Sequence, residues 1–377
     1  MRKHDLDNLR WLTIVLVVVF HVFYYYNNIG GPALFAGLLA YTGGVTAAGL
    51  YQYFVYPWFM LLLFVVAGIS ARCALESKSG KAFLRARVDK LLVPSTLGVL
   101  AFGWVGGYAV FLHTVKPSLP AGTPGFVGAV ISLCCGIGGL WFCHVLFVAS
   151  LVLLLVRRVL AKLGRTDADV CGWFAAKTRS PAGFVLVLAG ALLLLWGGTH
   201  LLNMPLITAY RNGIYIPAFL LGYYLFSNEE VRARLKKSVV WLLVLAVGSG
   251  AFYMVRCYGL PYADTAVLAR LDLNVYAFCM VLLALGASAR LLDRTGPFLA
   301  YMKKSCFGIY VFHIPVLLVT NLLLVGRGLP MPVVYLIELI SAFAFSFLLY
   351  EVVRRVPVLR YWILGVRGQK KQATSPR

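Results

Sequence analysis

Residues 9–27 read LRWLTIVLVVVFHVFYYYN, an apolar run with an arginine near its head and a histidine in its middle. On a helix, Arg10 and His21 fall within about 20° of one another and about 16 Å apart along the axis. Asp7 lies three residues before Arg10, and Tyr24 and Tyr25 follow His21 by three and four. One stripe therefore carries an ionic end, a mid-helix imidazole and two phenols. An imidazole titrates near neutrality, so it can take a proton from a hydroxyl or act as a nucleophile. The bland alternative is a core histidine bonded to a neighbouring carbonyl.

The stretch KKSCFGIYVFHIPV repeats the pattern. Lys303 and Lys304 stand at its head, His313 lies eight residues beyond Ser305, and Tyr310 shares the histidine's face three residues earlier. Pro315 loosens the helix just past the imidazole. Both runs begin at basic residues, so His21 and His313 are expected at comparable depth, close enough to meet. His144, three residues after Trp141, is expected to line the same cavity.

Such groups need elements to hold them, and the composition says which. Hydrophobic residues make up 61% of the 377, mean hydropathy is +0.84, and charged residues are 13%, against roughly 25% in soluble domains. A soluble fold is excluded. Ten apolar segments of spanning length run near 9–27, 54–72, 91–112, 139–157, 182–201, 212–227, 239–256, 270–289, 306–325 and 333–353. The expected fold is an all-α, polytopic membrane bundle of about ten transmembrane helices, occupying residues 1–360, with a polar basic tail at 361–377.

Charge supplies the orientation. Assigning the loops to alternate sides puts 30 of the 35 Lys and Arg on the side of the N-terminus; only Lys116, Arg211, Arg256, Arg270 and Arg327 fall opposite. By the positive-inside rule both termini are cytoplasmic, in the cell (inner) membrane. The net charge of +22 thus points to membrane lipids as partners and not to nucleic acid. The first run lacks a small-residue cleavage site and reads as a retained anchor. The eight cysteines form no CxxC pair and read as small hydrophobes. The stretches 28–53 and 117–138 are glycine-rich and nearly uncharged, and are expected to be interfacial or re-entrant. The loop SGKAFLRARVDKLLVP is expected to be partly helical.

Six stretches, in order, resemble the acyltransferase type 3 family. DNLRWLTIVLVVVFH is similar to that family's opening helix, with Arg, ten residues, then His, here Arg10 and His21. FMLLLFVVAGISARCALESKSGKAFLRARVDKLLVP resembles its second span and basic loop. GGLWF resembles its HLWF element, with Gly139 standing where the family has histidine. IPAFLLGYYLF resembles its FxLGYxL span, and SCFGIYVFHIPV its SYxIYLxHxP helix, with Cys306 in the aromatic position. YEVVRRVPVLRYWILG resembles the end of glucan succinyltransferase-like members, Glu351 included. The likeness extends over nearly the whole chain. His144, about one turn beyond Gly139, replaces the missing histidine only if it projects from the same face, which that spacing permits.

The resemblance implies transfer of an acyl group, acetyl or succinyl, from cytosolic acyl-CoA to a hydroxyl of a carbohydrate or lipid-linked glycan, O-acetylation being one form. Acyl-CoA would be a co-substrate, with no cofactor permanently bound. No metal site is expected, since no carboxylate lies near either histidine in sequence. His21 would serve as base or as transient acyl carrier. His313, with Ser305 and Tyr310, would orient the acyl carbonyl or the second substrate. Arg10 held by Asp7, together with Arg85, Arg87, Lys90 and Trp141, would receive the CoA. The other class that buries ionisable groups at this depth is a transporter or flippase for a glycan or small anionic metabolite. Its mark would be paired internal repeats with broken helices, and none is evident.

Overall fold

The computed structural model describes residues 4–26, 47–202, 210–324 and 326–367. Helices α1 (His4–Tyr24), α2 (Ala47–Val55), α3 (Phe59–Ser77), α4 (Gly80–Arg87), α5 (Trp104–Val110) and α6 (Gly125–Cys135) form the first part. Then come α7 (Trp141–Lys162), α8 (Asp167–Lys177), α9 (Pro181–Gly198), α10 (Asn212–Tyr224), α11 (Glu229–Lys237) and α12 (Val239–Cys257). The chain closes with α13 (Thr265–Leu268), α14 (Leu271–Leu291), α15 (Pro297–Leu324), α16 (Met331–Val353) and α17 (Pro357–Leu364). A bilayer core offers the backbone no hydrogen-bond partner, so helices that satisfy their own N–H and C=O groups are the available solution.

Among the described residues, nine helical segments are long and apolar enough to cross a bilayer. They include every expected span except that at 212–227. There the chain forms only the 13-residue α10, with Pro217 inside it. Its length, about 20 Å, falls short of the roughly 30 Å hydrocarbon core. Even so, α10 joins the two ends of the bundle through its interior. It starts beside the last turn of α9, where a Cβ on Gly198 would stand 2.0 Å from the Gly213 carbonyl oxygen, and it ends with Tyr223 and Tyr224 on Asp167. Tyr215, Phe219, Tyr223 and Phe226 are buried. It crosses α3 at close range, for a Cβ on Gly68 would stand 2.0 Å from the Phe219 carbonyl oxygen and one on Gly222 2.2 Å from that of Val65. Small residues let two backbones meet in this way.

Much of the stretch 28–53 lies outside the described residues; from Ala47 it is helical and leads towards α3. Within 117–138 the 11-residue α6 packs beside α5, where a Cβ on Gly107 would come within 1.9 Å of the Ser132 carbonyl oxygen. α4 accounts for the helix expected in the basic loop. Beyond it, Val88–Leu92 and Pro94–Gly103 wind as a wider π-helix. Pro94 removes one backbone donor, and the Ser95 and Thr96 hydroxyls bond the carbonyls of Leu91 and Leu92 at 2.7 and 2.6 Å. The chain stays ordered past residue 360: α17 lies on this π-helix, and Arg367 pairs with Asp89 at 2.7 Å. All eight cysteines are free; Cys135, Cys143, Cys257 and Cys306 are buried and Cys134 is exposed.

Polar contacts tie each end of the bundle. At one end Arg232 of α11 pairs with Asp5 of α1, and Asn8 donates to the carbonyls of Leu292 and Arg294 at 2.6 and 2.9 Å. Asp167 there accepts from Arg157 at 2.6 Å, Tyr223 at 2.9 Å and Tyr224 at 3.1 Å, joining α7, α8 and α10. At the other end Gln52 donates to Tyr262 at 3.1 Å, Trp196 to the Ala269 carbonyl at 2.9 Å, and Tyr276 to that of Phe54 at 2.7 Å. The end with α4, α8 and α11 is the strongly basic one.

Candidate functional site

α1 and α15 run side by side with their basic ends together: His4 of α1 lies 3.4 Å from the Lys303 amine of α15. The shared starting level brings His21 and His313 into ring contact, with centroids 5.1 Å apart and planes at 65°. Each Nδ1 sits on a carbonyl of its own helix, His21 on Val17 at 2.8 Å and His313 on Tyr310 at 2.7 Å. A carbonyl can only accept, so each Nδ1 carries the proton in the neutral ring and each Nε2 presents a lone pair. The Nε2 of His313 is buried without a partner. An unmet acceptor in such a place is expensive to leave bare. His21 keeps some accessible surface.

Aromatic rings wall the pair. Phe20 and Tyr24 stand 5.3 and 6.0 Å from His21, and Tyr310 stands 5.9 Å from His313. The Tyr310 hydroxyl donates to the Gly139 carbonyl. A Cβ at Gly139 would lie 2.9 Å from Ile314 Cδ1 and 3.8 Å from both His313 Cε1 and the Tyr310 hydroxyl. The space beside residue 139 is thus filled by Ile314, His313 and Tyr310 of α15. His144 does not take it over. Its Nδ1 lies 2.8 Å from the Tyr210 hydroxyl, and the two rings stack at 22°. Trp141 rests against Tyr215 at 5.6 Å and Tyr210 at 6.2 Å, while Phe142 meets Tyr310 edge-on at 6.0 Å.

A second cluster lies at the basic end. Arg10 pairs with Asp7 at 3.6 Å and donates to Ser70 of α3 at 2.7 Å. Arg87 and Lys90 act on Arg10 and on each other as like charges. Neither forms an ion pair among the described residues; Arg87 lies over the Phe83 ring at 4.8 Å. Arg85 is 200° round α4 from Arg87 by helical geometry, about half a turn, and is exposed, beside Asp89. The structure therefore splits the expected basic set, with Arg10, Arg87 and Lys90 together and Arg85 at the rim. Ser305 lies about 12 Å along α15 from His313, its hydroxyl on the Tyr301 carbonyl at 3.0 Å. Ser70 carried no sequence signal, being 60 residues from its partner. Among the described residues no group of three or more His, Cys, Asp or Glu could hold a metal ion.

These features define a helical membrane protein with a largely buried imidazole pair about three turns from a cluster of three cations, of which only Arg10 has a carboxylate partner among the described residues. The family model for the acyltransferase domain of the acyltransferase type 3 family matches residues 3–351. The chain belongs to that family and is a membrane acyltransferase. No curated protein and no solved structure matches it.

Proposed function

We propose that this protein is an O-acyltransferase of the cell (inner) membrane, moving an acetyl or succinyl group from acyl-CoA to a hydroxyl of a carbohydrate or lipid-linked glycan. The observation that carries the reading is the apposition of His21 and His313 with both Nε2 lone pairs unclaimed by the backbone. His21 Nε2 takes the proton of the acceptor hydroxyl as its oxygen attacks the thioester carbonyl. The carbon–sulfur bond breaks, and the imidazolium returns the proton to the departing thiolate, so the reaction is proton-neutral. His313 Nε2 accepts from a substrate hydroxyl and positions it. The same His21 lone pair serves if the ring first carries the acyl group as an acyl-imidazole.

Arg10, Arg87 and Lys90 attract the donor's phosphates, with Asp7 and Ser70 fixing Arg10 and Arg85 adding charge at the rim. The basic end faces the cytosol in this reading, where acyl-CoA is found, and both termini are cytoplasmic. Membranes containing the protein are supplied with labelled acetyl-CoA or labelled succinyl-CoA, and glycan and lipid fractions are counted. Label in a glycan or glycolipid fraction, absent without the protein, is the expected result. Label recovered only as free acid, or none, refutes the reading. A label on the protein itself that is released by mild acid and by hydroxylamine, as an acyl-imidazole is, marks the acyl-carrier route.

A further inference from the structure

A second basic site lies away from the histidines. Arg72 and Glu76 at the end of α3, Arg157 and Arg158 at the end of α7, Arg165 and Asp167 at the start of α8, and Tyr223 of α10 line an open cavity of about 560 Å³. Its floor is a built ion cluster. Asp167 accepts from Arg157 at 2.6 Å and lies 3.8 Å from Arg72, which also reaches Glu76 at 3.5 Å and covers the Tyr223 ring at 5.5 Å. Two carboxylates thus face four guanidiniums. Arg158 and Arg165 make no ion pair among the described residues, and both are exposed. Asp169 acts on Arg165 from the next turn, so the cleft keeps an excess of one positive charge, the sign that draws a phosphate.

The surroundings say where that phosphate comes from. Leu151, Leu155 and Val159 project from α7 beside the cavity and are 41, 61 and 48% exposed. They form an apolar stripe one helical step round from Leu154, Arg158 and Ala161. Trp173 of α8 is 54% exposed, as indoles are at the headgroup level of a bilayer. A cationic cavity that opens onto a lipid-facing stripe accepts the head and tail of one amphiphile. We propose that this cavity seats the phosphate headgroup of an anionic phospholipid from the leaflet at the basic end, with its acyl chains along Leu151, Leu155 and Val159. The bound lipid clamps the ends of α3, α7 and α10, whose other ends lead to the aromatic walls around the histidines.

Intact protein, stripped of lipid in detergent, is titrated with dioleoylphosphatidylglycerol and with dioleoylphosphatidylcholine under native mass spectrometry. The phosphatidylglycerol should bind at least tenfold more tightly. Arg158→Ala with Arg165→Ala should remove roughly tenfold to thirtyfold of that affinity while thermal unfolding without lipid stays unchanged. Lysine at both positions should restore most of it. Arg72 and Arg157 are left in place because their contacts with Asp167 join helix ends. Equal affinity for the two lipids, or a preference that survives the double alanine variant, overturns the proposal. A third arm uses inorganic phosphate and adenosine 3′,5′-bisphosphate. Displacement of bound phosphatidylglycerol by either at micromolar concentration assigns the cavity to a soluble anion and likewise overturns the lipid.

Discussion

Substituting glutamine for His21 separates the chemistry of the imidazole from its place in the bundle. The Gln amide can donate to the Val17 carbonyl that now holds Nδ1 at 2.8 Å, so the local hydrogen bond is retained and stability should shift by no more than about 1 kcal/mol. What disappears is a group able to take up and return a proton. Positioned general-base catalysis contributes about 10²–10⁴-fold, equal to about 2.7–5.5 kcal/mol in the barrier, and turnover should fall by that factor. The assay is labelled acyl transfer in membranes, normalised to protein by immunoblot, with acyl-CoA KM read in parallel. KM should stay within about threefold, since the cations at the basic end are about 16 Å away along α1. Because the two rings touch at 5.1 Å, His21→Gln combined with His313→Gln should be scarcely worse than His21→Gln alone. Residues that act as a unit are not additive. Activity of His21→Gln within tenfold of wild type refutes the catalytic assignment, and a double variant whose losses multiply refutes the unit.

Arg87→Gln should raise the apparent KM for acyl-CoA about tenfold, from the loss of one charge-assisted contact of about 1.5–3 kcal/mol, and Arg85→Gln far less; equal effects would show that position on α4 does not matter. Arg232→Met strands Asp5 in a buried site and should destabilise the protein by about 3–5 kcal/mol, whereas adding Asp5→Asn should recover much of it, both measured by thermal unfolding in detergent. Gly68→Ala would put a methyl 2.0 Å from a backbone carbonyl and should cost about 3 kcal/mol by forcing α3 from α10, while Gly190→Ala, with nothing within 4 Å, should be neutral or slightly stabilising. Reporter fusions after Lys116 and Arg327 should read external and a fusion after Arg165 cytoplasmic; the reverse pattern would move the donor side to the other face.

How much of this was legible in the sequence depends on the range of the interaction. Nine of the ten expected spans rest on local properties, since run length and hydropathy are set by adjacent residues and the bilayer imposes helices on them. The shared face of Arg10 and His21 follows from one helical period. The meeting of His21 and His313 was legible as well, because each follows its own basic start. Depth is one coordinate that a chain spanning a slab reveals. Rotation about the helix axis is not. Whether Arg85 or Arg87 turns to Arg10, whether His144 meets the pair or Tyr210, and whether Ser70 bonds Arg10 depend on how separate helices are turned and packed, which only the assembled bundle decides. The sixth span shows the same division. Its composition is apolar enough for a transmembrane helix, yet Gly68 and Gly222 allow it to bury itself against α3 as a shorter element. An apolar run signals that water is excluded; whether lipid or protein excludes it is decided by the neighbours.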